Sequence, residues 1–68
     1  MSGDETYRAH IRAIMPFEAG GEACNLIVLR VGGRVQLLHH GVFRTAADLT
    51  AAQAVELAGM LTAASETR

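Results

Sequence analysis

Lysine is absent from this chain of 68 residues, and six arginines alone face seven acids, for a net charge of −1. A charge so close to zero argues against bulk electrostatic binding to nucleic acid or to an anionic membrane. A single cysteine, Cys24, excludes an intrachain disulfide, and no Cys/His quartet offers a structural zinc site. Aromatic residues are limited to Tyr7, Phe17 and Phe43, which leaves few platforms for stacking bases. No run approaches the roughly 18 apolar residues of a membrane helix. The acidic start, Met1 to Glu5, is not followed by the apolar stretch of a signal peptide. These absences set the expectation of a cytoplasmic protein that uses no cofactor, no metal and no membrane.

What the chain does have is grease. Half of its residues are hydrophobic, in a chain short enough that folding hides only about 60 % of the unfolded surface. Residues 1–68 form at most one domain, with 1–5 expected to be a flexible N-terminus and 65–68 a fraying tail. A small apolar domain without disulfide or metal commonly hides part of its surface against another chain.

Gly32-Gly33 lies between two runs of strand formers, Asn25 to Val31 and Arg34 to His40. Consecutive glycines with flanks of this kind predict a two-residue hairpin turn, in which both can take φ > 0. The register follows: Val31 with Arg34, Leu29 with Gln36 and Ile27 with Leu38 on one face; Arg30 with Val35, Val28 with Leu37 and Leu26 with His39 on the other. Both faces are apolar near their middle, so the hairpin needs two covers. From Tyr7 to Met15, apolar residues alternate with Arg8, His10 and Arg12, a strand pattern of period two. Tyr7, Ile11, Ile14 and Met15 also fit helical spacing. The strand is favoured, because a hairpin needs a third strand or a helix to be stable, and Pro16 ends either element. Phe17 to Cys24 reads as a loop centred on Gly20-Gly21, and Gly41 interrupts the second hairpin strand. Val42 to Ala47 then either continues that strand past a bulge or turns back as a fourth.

Thr50 with Gln53 three residues on is a capping box, and Leu49 can staple against Ala54. The helix it opens, Ala51 to about Ala64, carries one stripe of Ala54, Leu57, Ala58 and Leu61. The predicted fold is therefore α+β: three antiparallel strands, with a fourth as the alternative, and one C-terminal helix on one face. Leu57 and Leu61 should press on Leu26, Val28, Val35 and Leu37. Ile27, Leu29, Val31 and Leu38 are then left for a second subunit or another protein, and a homodimer is expected.

No catalytic residue stands out. His39 and His40 are adjacent on a strand and point to opposite faces, so they do not readily chelate one metal. A nucleophilic cysteine needs a base or a helix N-terminus beside it, and none is predicted at Cys24. Neither glycine pair sits in a strand–loop–helix phosphate cradle. Arg8, Arg12, Arg34 and Arg44 are candidate nucleic-acid contacts, doubled in a dimer, although arginine is equally favoured at protein interfaces. The leading expectation is a non-enzymatic interaction or regulatory protein, and the alternative is a nucleic-acid-binding regulator.

From Leu37, the text Leu-Leu-His-His-Gly-Val-Phe-Arg-Thr, followed by Asp48-Leu-Thr-x-x-Gln-Ala-x-x-Leu-Ala-x-x-Leu, resembles the tails of short uncharacterised proteins of GC-rich actinobacteria. The resemblance covers less than half of the chain. It implies a bacterial, cytoplasmic accessory protein and assigns no functional residue.

Overall fold

The computed structural model describes residues 4–67. Four strands, β1 (Glu5–Ile14), β2 (Ala23–Val31), β3 (Arg34–His40) and β4 (Arg44–Leu49), form one antiparallel sheet in the order β1-β2-β3-β4, followed by the helix α1 (Ala51–Glu66). The α+β architecture is the expected one, with the fourth strand present. Of the segment Tyr7 to Met15, all but Met15 resolves as strand, since alternation lets its apolar side chains share one face with those of β2. Regular structure extends into both terminal segments. Glu5 opens β1, and Ser65 and Glu66 belong to α1. Residues 1–3 and 68 of those two segments lie outside the described residues.

The β2–β3 hairpin has the predicted register throughout, from Val31 opposite Arg34 to Asn25 opposite His40. Its turn departs from the sequence reading in one respect. Gly32 has φ 61°, whereas Gly33 is not at positive φ. That is the pattern of a II′-type turn, which demands glycine only at its first central position. The β1–β2 link is a short 3-10 turn, Phe17–Ala19, between Pro16 and Gly20, closed by the Met15 N–H donating to the Glu22 carbonyl at 2.8 Å. Gly20 and Gly21 both take positive φ, 110° and 69°, which lets the chain reverse there at little steric cost. At Gly41 the chain bends back into β4.

Helix α1 begins where the sequence places it. The Gln53 N–H donates to Thr50 Oγ1 at 3.0 Å, and the Thr50 N–H donates to Gln53 Oε1 at 2.9 Å, a complete capping box. No linker separates Leu49, the last residue of β4, from this cap, so α1 starts directly at the end of an edge strand. It packs over β3 and β4 and does not reach β1. Geometry explains this: β1 lies three strand spacings, about 14 Å, from β4, whereas a helix is about 10 Å across.

Burial is correspondingly thin. Among the described residues only Met15, Cys24 and Leu29 are buried, at 4 %, 5 % and 7 % exposure, and α1 contributes none. The radius of gyration is 13.4 Å, against about 11 Å for a compact chain of this length. The accessible surface is 5453 Å², and a compact monomer of 7.2 kDa exposes about 4,100 Å².

Candidate interaction surface

Strand register sorts the side chains into two faces. The helix-side face carries Tyr7, Ala9 and Ile11 of β1, Leu26, Val28 and Arg30 of β2, Val35 and Leu37 of β3, and Ala47 and Leu49 of β4. The predicted apposition holds on the β3–β4 side. Leu26, Val28, Val35 and Leu37 wall one side of an apolar trough of about 320 Å³, and Leu57 and Leu61 wall the other. The helix does not close over this face, however. Leu61 remains mostly exposed, and on β1 Tyr7 and Ile11 are 58 % and 63 % exposed.

The opposite face has no layer over it among the described residues. Its middle row runs His10, Ile27, Leu38, Ala46 across the sheet, and the next row runs Arg8, Leu29, Gln36, Asp48. All four residues of the predicted interface lie here. Ile27, Val31 and Leu38 are half-buried, and Leu29 is buried within the chain itself, between its register neighbours Arg8 and Gln36. Leu29 is therefore a core residue beneath the surface rather than an exposed contact.

Arg8, Arg12, Arg34 and Arg44 also fall on this same face, around the apolar middle, opposite Leu29, Asn25, Val31 and His40 respectively. The two sets of candidate residues, apolar and basic, thus form one surface. Arg8 is engaged within it: its Nε donates to Glu5 Oε2 and its second guanidinium nitrogen to Glu5 Oε1, both at 2.8 Å. Residues three apart on a regular strand face opposite ways. Here a register shift between Glu5 and Tyr7 places Glu5 opposite Val31, on the face of Arg8. The hydrogen bond from Arg8 holds the Glu5 carboxyl below its ordinary range and raises Arg8 in turn. Nothing in the spacing Glu-x-x-Arg reveals this pair without the bulge.

His39 lies on the helix-side face and His40 on the open one, as adjacent strand residues must. His10 shares the open face with His40 but is set beside a different residue of β2, Ile27 rather than Asn25. Among the described residues no group of three or more His, Cys, Asp or Glu could hold a metal ion. Cys24 is a free thiol, buried beside Met15, and a Cβ added at Gly41 would stand 3.0 Å from Cys24 Cβ and 3.2 Å from Met15 Sδ. No described helix is long and apolar enough to cross a membrane.

Sequence reasoning missed two features of the surface. The exposed pair Tyr7 and Ile11 on β1 is visible only once the reach of α1 is known. The coincidence of the apolar and arginine sets on one face depends on the register between β1 and β2. Comparison of the chain with protein-family models, curated proteins and solved structures found no match.

Proposed function

We propose that this chain is a non-enzymatic interaction protein that works as a homodimer through the open face of its sheet. The observation that supports this reading is the surplus of surface, about 1,300 Å² beyond a compact monomer of its mass. A stable interface takes about 800 Å² from each partner. The open face has the expected anatomy, with an apolar middle, arginines around it and few acids.

Its rows also suggest how two copies fit. A two-fold axis parallel to the strands, between β2 and β3, sets Ile27 opposite Leu38 in both directions, as an isologous contact requires. The same axis sets Arg8 opposite Asp48, because these occupy the two ends of one row. Sedimentation velocity at micromolar concentration tests the proposal. The wild type should run as a dimer, and Leu38→Asp as a folded monomer by circular dichroism. Leu38 is the better probe than Leu29, whose burial makes a charge there unfold the chain. Asp48→Arg should weaken the dimer, and adding Arg8→Glu should restore it. A wild type that stays monomeric refutes the reading.

A second reading, nucleic-acid binding, draws on the four arginines sharing one flat face. Two features weigh against it. Asp48 shares the face, and Tyr7, the one aromatic residue on a strand, is on the other side. A binder of this kind would lose affinity steeply with salt, by about one power of salt concentration for each phosphate contacted, and would weaken on Arg12→Glu and Arg34→Glu.

A further inference from the structure

We infer that the trough between α1 and the sheet is a binding site for a linear fatty carboxylate, with the chain in the trough and the head group at Arg30 and Tyr7. The trough, at about 320 Å³, falls within the range of small-molecule sites. Leucine, valine and alanine side chains line it throughout. The walls offer an occupant almost no donor or acceptor, which suits an apolar one.

The occupant can be narrowed by what the walls lack. An extended peptide would bring amide groups that this lining cannot pair, each at a cost of a hydrogen bond or more. A hydrocarbon chain brings no such cost.

The head group is indicated by what adjoins the trough. A second recess, about 380 Å³, shares Val28, Val35 and Ala54 with it and adds Tyr7, Leu29 and Arg30. Tyr7 and Arg30 are register partners on β1 and β2. Arg30 is exposed and has no ion pair among the described residues. A guanidinium presents two parallel N–H donors that match a planar carboxylate, and the Tyr7 hydroxyl supplies a third donor. The single cation, Arg30, balances a single negative charge, which favours a carboxylate over a phosphate dianion. The site is on the opposite face from the proposed dimer contact and does not depend on it.

Titration calorimetry with sodium decanoate, below its micellar concentration, tests the inference, with decanol and decyl phosphate as comparison ligands. Decanoate should bind saturably, one per chain, and more tightly than decanol. Arg30→Gln should weaken decanoate about tenfold and leave decanol unchanged. Ala58→Leu should weaken both by filling the trough, with circular dichroism checking the fold. Absence of saturable binding overturns the site. Equal binding of decanoate and decanol, or tighter binding of decyl phosphate, overturns the assignment of the head group. Sedimentation of the same samples reports dimer formation separately, so failure of one proposal is not mistaken for failure of the other.

Discussion

Gly41→Ala should destabilise this protein although it adds one methyl group at an exposed turn. The new Cβ would stand 3.0 Å from Cys24 Cβ, 3.2 Å from Met15 Sδ and 3.4 Å from His39 Cε1. The Met15 thioether ends a flexible side chain and can move aside. Cys24 Cβ cannot, because it is fixed to the backbone of β2, an inner strand of the sheet. Met15 and Cys24 are also two of the three buried residues among those described, so relief by shifting them spreads into the whole of a thin core. Overpacking of this kind costs about 1–3 kcal/mol. For a domain of this size each kcal/mol moves the melting temperature by about 4–8 °C, so a loss of roughly 4 °C at the least is expected. Thermal unfolding followed by circular dichroism, at one fixed protein concentration, measures it. Gly59→Ala is the matched control. It lies within α1 with nothing within 4 Å of the added Cβ, and should gain up to about 1 kcal/mol from helix propensity. If Gly41→Ala melts within 2 °C of the wild type, or if the two variants shift in the same direction, the packing argument fails.

Gly32→Ala should lose about 1–2 kcal/mol, because Gly32 sits at φ 61°, whereas Gly33→Ala, in open space and without positive φ, should be neutral or slightly stabilising by urea denaturation. The Glu5 carboxyl, followed by NMR, should titrate below a free glutamate and return to the ordinary range in Arg8→Gln. Since the folded-state value is the depressed one, the small stabilisation from this pair is present above the unfolded value and disappears as pH falls through the folded one. Arg44→Glu should tighten the dimer in sedimentation experiments, because the proposed axis sets Arg12 opposite Arg44 and the substitution turns a repulsion into an attraction.

The hairpin was legible because a two-residue turn leaves no freedom of register: once Gly32-Gly33 is the turn, every pair from Val31 opposite Arg34 to Asn25 opposite His40 follows. The start of α1 was legible for a similarly local reason, since Thr50 and Gln53 bond to each other's backbone. The first segment satisfied both helical and strand periods, and only the availability of β2 as a neighbour decides between them. The extent of cover over the sheet is not local at all. It follows from Leu49 running directly into the cap at Thr50, which tethers α1 to β4 and leaves Tyr7 and Ile11 bare. The trough arises from the same tether, so the candidate ligand site is a product of chain connectivity and not of any motif. The Glu5–Arg8 pair needed an irregularity in β1 that no residue near Thr6 announces.

Strands β1 and β4 each have a neighbour on one side only. The ten-residue β1 therefore offers a long row of free amides and carbonyls to any other extended chain, and charged side chains on an edge, here Arg8 and Arg12, disfavour such addition. An alanine scan intended to probe binding would strip those guards. The resulting variants could polymerise edge to edge, and turbidity or fibre formation would then mimic a lost interaction. Glutamate at these positions keeps a charge on the edge while removing the positive one.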